Sequence, residues 1–176
     1  MPWTLPRAIA AIIVLGAAGA CWAHGPTRQK VVEQVMIDAP PDKVWAVIGN
    51  FDALKNWHPA VASSPADHGN DEASVRQVTL KGGGALSEKL ETYDATKMKY
   101  SYRAKDGGAL PVTNYTSTLS VRAEGNGSLV EWRGAFYRGY PNNDPPPELN
   151  DETAVKAVTA VYQAGLANLK TLIENH

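Results

Sequence analysis

Hydrophobic and polar residues follow a helical period along the last stretch of the chain, Asp151 to Asn175. The apolar positions recur every three or four residues, at Val155, Val158, Tyr162, Leu166, Leu169, Leu172 and Ile173. The other side carries Lys156, Gln163, Lys170 and Glu174. This pattern predicts a long amphipathic helix whose start is capped by Asn150 or Asp151. Such a helix must bury its broad apolar face against another layer of structure.

The chain before this helix is predicted to form mostly strands, because short alternating runs end at Gly, Pro, Asn and Asp residues. The predicted strands are Lys30–Ile37, Val61–Ser64, Ser74–Leu80, Ala85–Tyr93, Met98–Arg103, Tyr115–Glu124 and Ser128–Tyr137. Two short helices, Asp42–Ile48 and Phe51–Trp57, follow the first strand. We therefore expect an α+β domain in which one curved sheet packs against the final helix.

One turn predicts an inward-facing pair of charges. A loop of Lys81 to Gly83 sets Leu80 opposite Gly84, and therefore Arg76 opposite Glu88. Both charged side chains then point to the apolar side of their strands, where only a paired charge is tolerable. The pair is either a structural ion pair near the rim of the sheet or a polar anchor inside a cavity. A slip of one residue would turn both side chains outward.

The last hairpin and the final helix indicate how the two layers meet. A two-residue turn at Gly125-Asn126 sets Leu119 opposite Trp132, so that Trp132 and Phe136 face the helix. Gly165 lies on the apolar face of the helix, where a side chain is expected to pack. This glycine permits two interpretations, either close approach of helix and sheet or room for a ligand.

The first residues have the pattern of an export signal. Arg7 precedes an apolar run from Ala8 to Ala20, and Cys21-Trp22-Ala23 places small residues at the cleavage positions. The run is too short to span a membrane. We expect cleavage after Ala23 and a periplasmic product, residues 24–176, that forms one domain without a membrane span. The alternative is a lipoprotein anchored through Cys21.

Charge and composition exclude several classes of function. A net charge of −1 gives no basic patch for nucleic acid or an anionic membrane. Loss of Cys21, the only cysteine, leaves no thiol chemistry. The four histidines lack metal-site spacing, so we expect no metal, although His24 could chelate copper if cleavage makes it the first residue. No nucleophile motif or phosphate loop is present, so we expect no catalytic residue and no cofactor.

The chain resembles a known superfamily. Ile37-Asp38-Ala39-Pro40, Val44-Trp45, Phe51 and Trp57-His58-Pro59 are similar to the opening of the Bet v 1/START-like (SRPBCC) superfamily, in its polyketide cyclase/dehydrase and lipid-transport branch. Later features that agree are Arg76, the glycine turn, Glu88-Lys89-Leu90, Tyr115, Trp132 and the long final helix. The resemblance covers roughly Val31 to Ile173. It implies a helix-grip fold, in which a curved seven-stranded antiparallel sheet wraps around the C-terminal helix and encloses a cavity.

The strand phases and this resemblance give a set of candidate cavity residues: Trp57, His58, Arg76, Glu88, Tyr100, Tyr102, Tyr115, Trp132, Phe136, Tyr162 and Leu166. His58 is either a structural residue at a helix end or a general acid–base group. The predicted contact surface is at the cavity mouth, where Trp57-His58-Pro59, Gly107-Gly108 and the acidic stretch Asn142 to Glu152 are expected to gather.

The predicted export narrows the function that the resemblance implies. An exported single domain of this type looks like the MxaD-type proteins of periplasmic methanol oxidation. The resemblance then implies a non-enzymatic accessory or ligand-binding protein whose partners are a quinoprotein alcohol dehydrogenase and its c-type cytochrome. Two alternatives stay open. One is a cyclase/dehydratase-type enzyme that uses Glu88, His58 or a cavity tyrosine, and the other is a carrier of a hydrophobic ligand such as a lipid or quinone.

Overall fold

A curled seven-stranded antiparallel sheet forms one layer of the protein, and the final helix lies against its inner face. The computed structural model describes Met1 and residues 25–175, so the predicted signal peptide, Cys21, His24 and His176 lie outside the described residues. The strand order is β1-β7-β6-β5-β4-β3-β2. The strands are β1 Gln29–Ile37, β2 Val61–Ser63, β3 Val75–Leu80, β4 Ala85–Asp94, β5 Lys99–Asp106, β6 Val112–Glu124 and β7 Gly127–Arg138.

The helices occupy the predicted places. Helix α1 spans Pro41–Ile48, and a 3₁₀ turn at Phe51–Ala53 leads into the single turn of α2, Leu54–Trp57. A second 3₁₀ turn, Pro147–Leu149, precedes the long helix α3, Asp151–Glu174. The side chain of Asn150 accepts a hydrogen bond from the backbone N–H of Thr153 at 2.8 Å, so Asn150 caps this helix. The α+β helix-grip prediction is confirmed.

Both predicted registers are confirmed. In the β3–β4 hairpin, Arg76 pairs with Glu88, and the backbone N–H of Leu80 donates to Gly84 O at 3.0 Å. In the β6–β7 hairpin, Leu119 pairs with Trp132. Because side chains alternate across a strand, these pairings send Arg76, Glu88 and Trp132 into the interior.

Each strand differs from its predicted range at one end or both, by three residues at one end of β5 and of β6 and by one residue elsewhere. Strand β5 begins at Lys99 because Met98 has a φ of 48°, which belongs to the preceding turn and not to a strand. Strand β6 begins at Val112, three residues earlier than predicted, because the ladder continues through an irregularity between Thr113 and Thr116. Asn114, with a φ of 48°, lies inside that irregularity and re-aims the strand locally.

The buried face of α3 packs on the sheet and closes the core. Its buried residues are Ala154, Val158, Tyr162, Gly165, Leu166, Leu169 and Ile173. The ring of Tyr162 stacks on Trp132 of β7, with centroids 4.4 Å apart and an angle of 13° between the planes. On the polar side of α3, Lys170 donates to the carbonyl of Met36 in β1 at 2.7 Å. No helix in the described part of the chain is long and apolar enough to cross a membrane.

Candidate ligand-binding cavity

A cavity of about 80 Å³ lies between the sheet, helix α2 and helix α3. Its lining comes from most of the predicted elements: Leu54, His58, Ala60, Val61, Val78, Leu80, Leu86, Glu88, Tyr102, Leu110, Tyr115, Trp132 and Val161. Most of these side chains are apolar, and only a few polar groups are placed among them. A concave apolar site with a few converging polar groups is the usual form of a small-molecule site.

The buried ion pair of Arg76 and Glu88 is the first of these polar features. The side chains are 1% and 5% exposed, so the charges have little access to solvent. Arg76 donates from Nε at 2.9 Å and from Nη2 at 2.5 Å, and both hydrogen bonds go to Glu88 Oε2. Two charge-assisted bonds to one oxygen fix the carboxylate and compensate part of the cost of burying it.

The surroundings of the Arg76 guanidinium hold it behind the carboxylate. Its Nη1 donates to the carbonyl oxygen of Phe51 at 2.6 Å. Its Cζ lies 4.1 Å from the ring centroid of Phe51 and 5.0 Å from that of Tyr102. Burial is the largest single effect and would lower the pKa of Arg76, but the Glu88 carboxylate, Tyr100 and Tyr102 together outweigh burial and raise this pKa. Arg76 is therefore a fixed cation that supports Glu88 without lining the cavity itself.

The other carboxylate oxygen of Glu88 remains available. No hydrogen bond from a described residue reaches Glu88 Oε1, whereas Oε2 receives both bonds from Arg76. Because Glu88 lines the cavity, this oxygen is an unused acceptor at its wall.

A chain of hydroxyl groups crosses the back of the cavity. The hydroxyls of Tyr115 and Tyr162 lie 2.7 Å apart, and Tyr162 Oη lies 2.9 Å from Ser117 Oγ. Ser117 donates its proton to the carbonyl of Arg133 at 3.1 Å, because a carbonyl can only accept. Tyr162 must therefore donate to Ser117, and Tyr115 must donate to Tyr162. The direction of every proton in this chain is thereby fixed.

The indole of Trp132 connects this chain to Tyr102. Its Nε1–H lies 2.9 Å from Ser117 Oγ and 3.0 Å from Tyr102 Oη, so one donor is shared between two acceptors. The proton of Tyr102 itself has no acceptor among the described residues, and Tyr102 lines the cavity. Tyr102 is thus a free donor at the same cavity that presents the free acceptor of Glu88.

The tyrosines of this interior are held neutral. Burial is the main cause, and it raises the pKa of Tyr102, Tyr115 and Tyr162 well above the usual value. Burial also raises the pKa of Tyr100 to about 12, although nearby Arg76 acts in the opposite direction. These hydroxyls therefore act as hydrogen-bonding groups and not as bases near neutral pH.

Both ring nitrogens of His58 are already in use. Nε2 lies 2.9 Å from the carbonyl of Val161 in α3, and Nδ1 accepts from the backbone N–H of Ala60 at 3.2 Å. A carbonyl only accepts, so the proton is on Nε2 and the imidazole is neutral. Burial lowers the pKa of His58, with the bond to Val161 opposing the shift. Of the two predicted roles, this arrangement favours the structural one.

Gly165 allows α3 to lie directly on these rings. A β-carbon built at this position would lie 2.7 Å from His58 Cδ2, 2.9 Å from Trp132 Cζ3 and 3.1 Å from Trp57 Cζ3. Those distances are shorter than real contacts, so the space is filled by aromatic rings. Close approach of helix and sheet is therefore the correct interpretation of Gly165, and the interpretation as ligand space is wrong.

The structure brings together part of the predicted set of site residues. Five of the predicted residues line the cavity: His58, Glu88, Tyr102, Tyr115 and Trp132. Four others form its supporting layer: Trp57, Arg76, Tyr100 and Tyr162. Two are buried core residues outside the lining: Phe136 and Leu166.

Sequence reasoning missed Ser117 and most of the apolar lining. Ser117 is a buried residue of β6 and was not among the predicted site residues, although a serine between buried positions indicates a polar contact. Val78 and Leu86 share the inward phase of Arg76 and Glu88, and that phase was the available signal. Val161 could not be found, because it lies at the edge of the apolar stripe of α3.

The predicted contact surface is only partly assembled at the cavity. His58 and Leu110 line it, and Ala109, beside Gly108, donates to the carbonyl of Ala85 at 3.1 Å. No residue of the acidic stretch 142–152 lines the cavity. Two residues of that stretch are held by Arg138, which donates to the carbonyl oxygen of Asn142 at 2.8 Å and to Asp151 Oδ2 at 3.0 Å.

Within residues 25–175, no group of three or more His, Cys, Asp or Glu side chains is arranged to hold a metal ion.

The chain is similar to two solved bacterial structures and one plant protein. It is 30% identical to a Bacillus cereus protein named XoxI, with a TM-score of 0.70, covering 82% of this chain and 94% of that one. It is 31% identical to an uncharacterised protein from Bacillus thuringiensis, with a TM-score of 0.69, covering 82% and 98% of the two chains. It is 26% identical to the MLP-like protein 423 of Arabidopsis thaliana over 128 residues, which is 67% of this chain and 82% of that protein.

The model of one protein family matches almost all of the described chain. The match extends over residues 28–174 and therefore includes every strand, all three helices and the cavity. The crystal structure of Ara h 8.0201 shares the fold at 21% identity with a TM-score of 0.64. The chain therefore belongs to the polyketide cyclase/dehydrase and lipid transport family of the Bet v 1/START-like superfamily, whose members are ligand-binding and cyclase-like proteins.

Proposed function

We propose that this protein is a non-enzymatic, exported accessory protein of alcohol oxidation that binds a small molecule in its cavity. The observation that carries the proposal is the apolar cavity with a free acceptor on Glu88 and a free donor on Tyr102. No described residue bonds to Glu88 Oε1 or accepts the Tyr102 proton, so both remain available to a ligand at the cavity wall.

The state of the titratable groups supports binding over catalysis. An acid–base mechanism needs a group that gains and loses a proton near the operating pH. His58 uses both ring nitrogens to hold Ala60 and Val161, and burial keeps the tyrosine hydroxyls protonated. Glu88 is bonded twice to Arg76 and is therefore positioned as an acceptor.

The size of the cavity supports a small ligand. Sites for drug-sized molecules usually enclose about 300–1,000 Å³. The volume of about 80 Å³ in this protein is well below that range. A lipid or quinone would fit only if the β3–β4 turn and the loop before β6 separated. The observed cavity therefore favours a small ligand over a lipid or quinone.

Two observations support the setting in alcohol oxidation. The predicted leader peptide and the resemblance to MxaD-type proteins support a setting in periplasmic methanol oxidation. The Bacillus cereus neighbour bears the name XoxI, which supports a link with the same process. The proposed partners are a quinoprotein alcohol dehydrogenase and its c-type cytochrome, contacted through the loops around the cavity mouth.

A cyclase/dehydratase-type enzyme is the second candidate, because the family model carries that description. The specific observation that favours it is Glu88 Oε1, a carboxylate oxygen without a partner at the cavity wall. Turnover of a hydroxy-ketone substrate by the isolated protein, lost in Glu88→Gln, would establish this candidate in place of the first.

The test of the proposed function is reconstitution with the two partners. The mature protein is titrated into purified alcohol dehydrogenase and its cytochrome acceptor, and cytochrome reduction is followed by absorbance at low and high salt. We expect a rate change that saturates with added protein, and the comparison of low and high salt measures the part that exposed charge pairs play in the contact, because salt screens them. No change at any ratio would contradict the accessory role.

A further inference from the structure

The cavity presents one unused acceptor and one unused donor at its wall. Glu88 Oε1 receives no hydrogen bond from a described residue, and the proton of Tyr102 has no acceptor there. The two groups are not hydrogen-bonded to each other, so an atom that bonds to both must come from outside the chain. A hydroxyl group is suited to this place because it donates one hydrogen bond and accepts another.

We infer that the cavity is a site for a short-chain, uncharged alcohol whose hydroxyl donates to Glu88 Oε1 and accepts from Tyr102 Oη. The alkyl part then lies against the apolar wall formed by Val78, Leu86 and Leu110. This inference rests on the proposed function, because it assigns a ligand class to the same cavity.

The volume sets the length of the alcohol. A cavity of roughly 150 Å³ holds benzene, which has six non-hydrogen atoms. A cavity of about 80 Å³ therefore suits three or four non-hydrogen atoms, the size of ethanol or a propanol. So few atoms limit the affinity to the sub-millimolar or millimolar range.

The charge arrangement selects against acids. A carboxylate ligand would meet the free oxygen of Glu88, and two like charges in a poorly hydrated site repel strongly. Arg76 cannot compensate, because Nε and Nη2 are bonded to Glu88 and Nη1 to Phe51 O, and the guanidinium does not line the cavity. A ketone is the intermediate case, because its oxygen accepts from Tyr102 but donates nothing to Glu88.

Three probes with four non-hydrogen atoms each separate these chemistries: 2-propanol, acetone and acetate. Each is titrated into the mature protein, and the methyl resonances of Val78 and Leu86 are followed by NMR. We expect saturable shifts with 2-propanol at millimolar concentration, at least tenfold weaker binding of acetone and no binding of acetate. The acetone difference follows from the strength of a hydrogen bond to a charged acceptor.

Two variants connect the preference to the named groups. Glu88→Gln should abolish the difference between 2-propanol and acetone. Glu88→Gln also weakens the buried ion pair and can therefore destabilise the fold. Tyr102→Phe is less disruptive, because Trp132 keeps its hydrogen bond to Ser117. Tyr102→Phe should weaken 2-propanol binding several-fold. The matched control is Tyr137→Phe, which makes the same change outside the cavity lining and should leave binding unchanged.

The outcomes separate this inference from the proposed function. Equal binding of 2-propanol and acetone, or binding of acetate alone, would overturn the alcohol assignment while leaving a ligand cavity in place. Xenon pressure on the same sample probes the cavity without any polar contact. If neither xenon nor 2-propanol shifts the Val78 and Leu86 methyl resonances, both the alcohol assignment and the ligand cavity are wrong.

Discussion

Arg76 donates two hydrogen bonds to a single oxygen of Glu88, which leaves the second carboxylate oxygen without a partner at the cavity wall. If the pair only balanced two buried charges, a fork-to-fork arrangement that used both oxygens would bind more tightly. The observed arrangement fixes the carboxylate and still leaves an acceptor free. The ion pair therefore connects the stability of the fold with the chemistry of the cavity.

A double-mutant cycle tests this pair. Arg76→Met leaves a buried carboxylate without its cation, which typically costs about 3–5 kcal/mol of unfolding free energy. Glu88→Gln removes the opposite charge and should also destabilise. The double mutant should lose less unfolding free energy than the sum of the two single losses, because neither charge is then left without its partner. Urea unfolding of the four proteins measures these terms, and additive losses would mean that the two side chains do not interact.

Gly165→Ala tests the close approach of α3 to the sheet. The added methyl group would lie 2.7 Å from His58 and 2.9 Å from Trp132, so the rings or the helix must shift. Overpacking of about 1–3 kcal/mol exceeds the gain of up to about 1 kcal/mol in helix propensity, so we expect a net loss of stability. Ala164→Gly at the adjacent exposed position isolates the propensity part. A stabilised Gly165→Ala protein would show that the helix lies further from the rings.

The fixed direction of the hydroxyl chain predicts an order of stabilities. Ser117→Ala removes the acceptor of the Tyr162 hydroxyl and leaves a buried donor unsatisfied, which costs about 1–3 kcal/mol. Tyr115→Phe removes only the first donor of the chain and should cost about 0.5–1.5 kcal/mol. Thermal or urea unfolding gives both values. A larger loss for Tyr115→Phe than for Ser117→Ala would mean that the chain of protons runs in the opposite direction.

The hairpin turns made much of this interior predictable. Their lengths fixed the registers, and because alternation in a strand is strict, the inward direction of Arg76, Glu88 and Trp132 followed without any structure. The inward-facing pairing of Arg76 with Glu88 was therefore predictable from the spacing of residues alone.

The cavity itself was not predictable, because its volume depends on how side chains from α2, α3 and the sheet fail to fill a space. Sequence reasoning left ligand space open as an interpretation both of Gly165 and of the Arg76–Glu88 pair. Only the distances around Gly165 show that aromatic rings occupy that position.

The role of Ser117 was not predictable either. A chain of hydrogen bonds depends on angles and distances that the alternation of side chains along a strand does not determine.

His58 predicts a pH dependence of stability. Its pKa is lowered in the folded protein from the ordinary value of 6.5, because burial disfavours the imidazolium. Between the folded and unfolded pKa values the unfolded chain binds more protons, so the unfolding free energy falls as the pH drops through about 6.5. Urea unfolding at pH 7.5 and pH 5.5 measures this loss.

The matched control for this effect is His58→Gln, whose amide can donate to Val161 but does not titrate. The variant is expected to be less stable at pH 7.5 and to show a smaller difference between the two pH values. If wild type and variant lose the same stability on acidification, the titrating group is not His58.

If the protein acts as a ligand-binding accessory protein, its effect on partner proteins should require a cavity that can hold a ligand. Leu86→Phe enlarges a side chain of the cavity lining, and Val32→Phe makes a similar enlargement at an exposed position of β1. Both variants are compared with wild type in the dehydrogenase–cytochrome assay, after circular dichroism confirms that each is folded. We expect wild type and Val32→Phe to change the rate of cytochrome reduction equally and Leu86→Phe to lose most of the effect. An undiminished effect of a folded Leu86→Phe protein, or no effect of wild type, would mean that the protein does not act through a ligand in this cavity.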